Sequence, residues 1–295
     1  MELRLLKYFI SIAEEESFTK AAIQLNLTQP TLSRQMAAFE EELGVKLFVR
    51  GKRKVTLTDE GLLFKNRAVE ILELADKAQK ELRGSQENLK GTISIGAGET
   101  EGFNDLVPII QRFHQKFPAV QFEITSGAAD AMKEKLNQGL LDLALFIKPV
   151  HVDSFESLDL PTEDQLGILA CRDAFDEIPQ QIHKEDLKGK SIGIPARKEV
   201  RDKVITWLGK EQKNVQSYIS HNLIGNAAKL LHGNDLYLVT SKGSVQAYDK
   251  QRYVWIAMEP SLTIKSVVSW KKSIAMSPAV TAFVNDLKNT YQEGK

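Results

Sequence analysis

The sharpest hydrophobic periodicity in the chain is Leu32, Met36, Phe39 and Leu43, spaced four, three and four apart. That spacing predicts one buried helical face. Thr28 stands ahead of it as an N-cap, Pro30 is tolerated in a first turn whose N–H groups lack intrahelical partners, and Gly44 ends the run. A shorter helix precedes it, capped by Ser17 and carrying Ala21, Ala22, Ile23 and Leu25. Its paired alanines admit a close neighbour, and Asn26-Leu27 breaks it. Two short helices at a tight turn form a helix-turn-helix.

Burying that stripe leaves Gln29, Pro30, Thr31, Ser33 and Arg34 to project elsewhere, with 29/33 and 30/34 on shared faces. Together with Thr28 they offer hydroxyls, an amide, an apolar ring and a guanidinium, which suit base edges, thymine methyls and phosphates. Leu47-Phe48-Val49 and Val55-Thr56-Leu57 then read as strands joined by Arg50-Gly51-Lys52-Arg53-Lys54. Alone, that basic run reads as a solvated turn. Behind a helix-turn-helix it reads as a wing whose Arg50, Lys52, Arg53 and Lys54 clamp phosphates.

These segments resemble the LysR-type transcriptional regulators of bacteria. The resemblance is carried by Phe9, Ser17-Phe18-Thr19-x-Ala21-Ala22, Gln29-Pro30-Thr31-Leu32-Ser33-Arg34-Gln35, Glu40, Leu43-Gly44-Val45-x-Leu47-Phe48-x-Arg50, Arg53 and Leu57-Thr58-x-x-Gly61. It implies a recognition helix from Gln29 to about Glu41, wing contacts near Arg53, and a small-molecule inducer bound in the C-terminal part. The partners it implies are double-stranded operator DNA, that effector, further copies in a homodimer or homotetramer, and RNA polymerase.

From residue 58 to about 88 the chain holds no proline and only one early glycine, Gly61, with Gly84-Ser85 near its end marking the boundary. Thr58 caps a helix there, and Asp59 and Glu60 suit the positive end of its dipole. Phe64, Ala68, Ile71, Ala75, Ala78 and Leu82 alternate four and three apart, which is a coiled-coil seam. Such a helix is about 45 Å long. Packing onto its own domain is the alternative, and dimerisation is the expectation.

After residue 91 strands and helices alternate. Strands are expected at 92–96, 120–125 and 141–147, with helices at 106–117 and 129–138. A second series has strands at 166–170, 191–194, 215–220 and 236–240, with helices near 201–208 and 222–231. Repeated βαβ units imply a parallel sheet covered on both faces, and two such lobes leave a cleft for a small ligand. The resemblance adds that 262–270 and the last helix return to the first lobe. The expected architecture is an α/β multidomain chain. Residues 1–58 form the winged helix-turn-helix, 59–90 the linker (dimerisation) helix, and 91–295 a two-lobed, periplasmic-binding-protein-like effector domain. Lobe I is expected at about 91–160 and 266–295, and lobe II at about 161–265.

Gly96-Ala97-Gly98-Glu99-Thr100-Glu101-Gly102 follows the first strand of that domain and opens a helix. Its third glycine comes one residue late for a dinucleotide fingerprint. In regulators similar to this chain, the positions of Thr100 and the Ser126-Gly127 loop supply hydroxyl and backbone donors to an effector. Glu99 and Glu101 flank Thr100 and would repel an anion if they faced inward, which Arg197, Lys198, His221 and Asn222 could offset. The ligand's charge stays open between acid, zwitterion and cation, and each of those four residues also fits an ordinary loop.

Composition narrows the classes. Lys+Arg 39 balance Asp+Glu 39 over 295 residues, so DNA affinity must come from local clustering. The one cysteine, Cys171, fits a reducing cytosol, and no apolar N-terminal core or membrane-length run stands in the chain, so the cytoplasm is expected. The five histidines, at positions 114, 151, 183, 221 and 232, show no metal-ligand spacing, and no nucleophile elbow or phosphate loop occurs. Neither a metal, a cofactor nor a catalytic activity is expected. A solute-binding protein would explain the two lobes and an α/β enzyme the βαβ units, but neither explains the wing.

Overall fold

The computed structural model describes residues 2–51, 54–82, 89–149, 154–233, 236–246, 248–272 and 276–292, less the side chains of residues 50, 77, 79–82 and 292. The chain divides into two compact units, Met1–Leu82 and Arg83–Lys295.

In the first unit, helices α1 (Leu3–Glu15), α2 (Phe18–Gln24) and α3 (Gln29–Leu43) precede strands β1 (Phe48–Arg50) and β2 (Val55–Leu57) and helix α4 (Asp59–Leu82). Ser17 and Thr28 cap α2 and α3 by accepting the N–H groups of Lys20 and Thr31, and Gly44 ends α3 at φ 69°. Leu32, Met36 and Phe39 are buried against Leu6, Phe9, Ile12, Ala21 and Ala22. The strands pair antiparallel, Phe48 opposite Leu57 and Arg50 opposite Val55.

The α4 stripe requires a correction. Ala68 is fully buried in the core of its own unit, and Phe64 and Ile71 pack against that core. The Phe64 ring lies 5.1 Å from Phe9 and 5.7 Å from Phe39. The four-three pattern there anchors the helix to its own domain, so Ala68 is not free for a second subunit and Phe64 keeps only part of its surface exposed. Ala75 is half-buried, Ala78 is exposed, and the Leu82 side chain lies outside the described residues. Among the described residues, the large apolar side chains that α4 leaves in solvent are Leu62, Leu63, Val69 and Leu74, of which Leu63 is 68% and Leu74 45% exposed. Leu63, Leu74 and Ala78 share one line, since eleven residues make about three turns.

The second unit runs β3 (Gly91–Ala97), α5 (Phe103–Lys116), β4 (Val120–Ser126), α6 (Ala129–Gln138), β5 (Leu143–Ile147), β6 (Phe155–Cys171), β7 (Gln181–His183), β8 (Ser191–Pro195), α7 (Lys198–Leu208), β9 (Gln216–His221), α8 (Ile224–Ala228), β10 (Leu236–Ser241), β11 (Tyr253–Glu259), β12 (Thr263–Lys271) and α9 (Pro278–Gln292). These strands form one ten-stranded sheet, ordered β4-β3-β5-β12-β6-β10-β8-β9, with β11 on β6 and β7 on β11. The pairs within each βαβ series are parallel, as expected, but β12 runs antiparallel to β5 and β6, and β10 and β11 run antiparallel to β6.

The sheet is therefore mixed. Two crossing strands join its halves, and β6, at 17 residues, is the longer. Lobe I buries Ile93, Ile95, Leu158, Leu160 and Phe283 together, whereas lobe II buries Leu166, Ile168, Ile192 and Tyr237. The change from one core to the other falls between Leu160 and Leu166 on β6 and between Ile264 and Val268 on β12.

Candidate nucleic-acid interface and ligand cavity

Packing the Leu32, Met36 and Phe39 face of α3 inward turns its N-terminal turns outward. Thr28, Gln29, Pro30 and Arg34 are exposed, and Thr31 and Ser33 are half-buried. Part of that surface is already engaged. The Thr28 and Thr31 hydroxyls stand 2.8 Å apart, and Thr28 also caps the helix, so their first task is to start α3. Gln29 and Arg34 carry the long exposed polar groups of the face.

Glu40 ties this helix to the wing. Its Oε1 accepts the N–H groups of Leu47 at 2.8 Å and Phe48 at 3.1 Å, and its Oε2 accepts from Lys46 Nζ at 3.0 Å. Burial alone would raise its pKa, but the Lys46 hydrogen bond, the two backbone N–H groups and the Lys46 charge outweigh burial and hold the carboxyl below its ordinary value. The wing turn closes with Gly51 N–H donating to Lys54 O. Lys54 differs from the expectation of a phosphate clamp, because its Nζ donates to both oxygens of Glu16, at 3.1 and 3.4 Å. Lys52, Arg53 and the Arg50 side chain lie outside the described residues.

In the second unit the lobes enclose a cavity of about 480 Å³. Thr100, Gly127, Arg197, Lys198, His221 and Asn222 all line it, whereas Ser126, exposed at the end of β4, does not. Lining it does not make each of these a free ligand group. Thr100 Oγ1 accepts Gly102 N–H at 3.1 Å and sits 3.2 Å from Ser266 Oγ. Arg197 donates to the carbonyls of Ile147 and Pro149 and to Glu199, so it braces lobe II against the end of β5. His221 is buried with Nε2 at 3.1 Å from Val239 O. A carbonyl only accepts, so Nε2 carries the proton and, in the neutral ring, Nδ1 is an acceptor. Burial lowers the His221 pKa, with the Val239 bond pulling the other way, and keeps the ring neutral at pH 7.

The acidic flank of Thr100 divides. Glu99 lines the cavity, while Glu101 does not and accepts instead from Gln246 at 2.7 Å. Sequence reasoning missed Asp130 and Lys133 on α6, and Thr240 and Ser241 at the end of β10 with Ser244 just after it. The first two sit one helical turn apart on a helix it had bounded, which is the signal that could have found them. The lining also has an apolar part, with Leu145, Phe146, Ile147, Leu166 and Ile264. Cys171 is buried, and burial together with Asp173 raises its thiol pKa, which leaves it a poor nucleophile.

Residues 3–62 match the family described as bacterial regulatory helix-turn-helix protein, lysR family, and residues 86–292 match the LysR substrate binding domain. The chain belongs to the LysR family. Among LysR-family relatives, AlsR of Bacillus subtilis is 37% identical over 179 residues, covering 56% of this chain and 58% of AlsR. The Hca operon transcriptional activator HcaR of Escherichia coli is 36% identical over 170 residues, 57% of each chain. The chain thus spans little more than half the length of these relatives. The fold matches crystal structures of CbnR, a LysR family regulator, alone and complexed with its target DNA. The first gives a TM-score of 0.78 at 22% identity over 99% of both chains, the second 0.77 at 22% over 98% of this chain and all of the other. The expected fold class, an N-terminal helix-turn-helix with a C-terminal two-lobed α/β domain, is the one the family has.

Proposed function

We propose that this chain is a DNA-binding transcriptional regulator, not an enzyme, that reads promoter DNA with α3 and the wing and responds to a small molecule bound between the lobes. The observation that carries the reading is the orientation of α3. Its apolar stripe is buried, its start is fixed by Thr28, and Gln29 and Arg34 stand exposed on the turns that a helix-turn-helix inserts into a major groove. HcaR is named a transcriptional activator and CbnR is solved on its target DNA, which supports the same role here.

The ligand site in this reading is the cavity containing Thr100, Gly127, Lys198, His221 and Asn222, with Arg197 bracing it. The working form is a homodimer or homotetramer, with Leu63, Leu74 and Ala78 of α4 as the contact stripe, acting beside RNA polymerase in the cytoplasm. No helix among the described residues is long and apolar enough to cross a membrane.

The test is selection of fragments of the source genome on the full-length chain. Discrete fragments sharing two-fold-related half-sites support the reading, because a symmetric dimer reads symmetric DNA. Uniform recovery of all fragments at moderate salt would refute it.

A further inference from the structure

The two lobes meet at a corner built around a carboxylate with no assigned task. Asp164 lies on β6 near the point where that strand leaves lobe I, and it is fully buried. Its Oδ2 accepts Glu101 N–H at 2.9 Å, from the loop entering α5, and its Oδ1 accepts Gly243 N–H at 3.1 Å, from the turn after β10. One carboxylate thus takes one backbone donor from each lobe. Around it, Ser244 Oγ donates to Glu99 O at 2.8 Å and Gln246 Nε2 to the Glu101 carboxylate at 2.7 Å.

The contact is backbone on backbone. A Cβ at Gly243 would stand 2.0 Å from Glu101 N and 2.4 Å from the Thr100 carbonyl carbon, so glycine is what permits the approach. Both sides of this corner face the cavity, through Glu99 and Thr100 from lobe I and Ser241 and Ser244 from lobe II.

We propose that Asp164 is a positioning residue that staples the Glu99–Glu101 corner of lobe I to the Gly243–Ser244 turn of lobe II and so sets the angle between the lobes. A carboxylate suits that task because its charge-assisted bonds to N–H groups are strong and leaving them unmade in a buried corner is costly. A ligand against Thr100 and Ser244 bears on both sides of the staple, and the lobe angle is what it changes. This regulatory consequence rests on the cavity being the effector site. The staple itself does not.

The test uses the full-length chain with Cys171→Ser, spin labels at Glu134→Cys in lobe I and Tyr218→Cys in lobe II, both exposed positions, and dilution in unlabelled chain. Pulsed electron resonance then reads the distance between the lobes. Asp164→Asn, which sets an amide donor against one of the two N–H groups, is expected to broaden the distance distribution about twofold. Amide exchange in the core strands β3 and β10 should stay at the parent level, whereas a merely structural role would raise it. Gly243→Ala forces the same corner apart and lengthens the mean distance, and it carries the test if Asp164→Asn does not fold. Ser244→Ala, which deletes one rim hydroxyl, broadens the distribution less than either. An unchanged distribution in a folded Asp164→Asn or Gly243→Ala chain overturns the staple. A parent chain that fails to bind DNA would overturn the proposed function and leave the distance result standing.

Discussion

Replacing Glu40 with alanine should uncouple the wing from the recognition helix, and the structure sets the size of the effect. The substitution removes the acceptor of two N–H groups, Leu47 and Phe48, that are buried beside the core. Each unsatisfied buried donor costs about 1–3 kcal/mol, so the pair costs about 2–6 kcal/mol. That is a large share of a domain stability of about 5–15 kcal/mol. Glu40→Gln should be milder, about 1 kcal/mol, because the amide oxygen can still accept both N–H groups while the Lys46 pair and the charge are lost.

The pH dependence has a definite sign. The folded pKa of Glu40 lies below its unfolded value, so its stabilisation is present above the unfolded value of 4.5 and is lost as pH falls through the folded one. Tryptophan fluorescence would miss all of this, since Trp207, Trp255 and Trp270 lie in the other unit. Hydrogen exchange at the Leu47 and Phe48 amides reads it directly. Faster exchange in Glu40→Ala, with weaker operator binding, is expected. Unchanged exchange at both amides would refute the reasoning.

Other expectations follow from single contacts. Leu74→Asp places a charge on the exposed α4 stripe and should yield folded monomers with poor operator affinity; light scattering that still shows the parent oligomer would put the interface elsewhere. Gln29→Ala should relax preference at one or two base pairs per half-site, read by binding to a panel of altered sites, and a uniform loss across the panel would make Gln29 a positioning residue. The lowered pKa of buried His221 means the unfolded chain takes up its proton first, so the regulatory unit should lose stability as pH falls below 6.5. His221→Gln should flatten that slope in thermal melts at a series of pH values; an equally steep slope would assign it to other groups.

Much of the fold was legible because local signals and global packing agree. The caps at Ser17 and Thr28, the stripe on α3 and the bounds of α6 were all readable from spacing. The first half of β6 was not, because Glu156, Asp159, Glu163 and Asp164 are poor strand formers. The fold compensates them one at a time. Lys288 pairs with Glu156, Lys148 with Asp159 and Lys265 with Glu163, while Asp164 takes its two N–H groups. No window of sequence shows those partners together. β11 is a further strand beyond the expected series, built on the β-prone run Tyr253 to Met258. The α4 stripe shows a different limit, since a four-three repeat announces a buried face without naming what buries it. Ser126 and Ser244 show the same for the cavity, where one residue of the expected Ser126-Gly127 loop lies outside and a serine from the other lobe lies within.

The central claim is that α3 holds DNA through its exposed face, and the salt dependence of operator affinity tests it most directly. The full-length chain and Arg34→Ala are titrated onto a recovered genomic site and onto a scrambled duplex over a range of salt. The account predicts tighter binding to the genomic site, a log affinity that falls linearly with log salt, and a slope about 1 shallower per lost phosphate contact in Arg34→Ala, with an affinity loss of about 1–3 kcal/mol. Equal affinity for the genomic and scrambled duplexes, or an Arg34→Ala chain indistinguishable from the parent at every salt concentration, would contradict it.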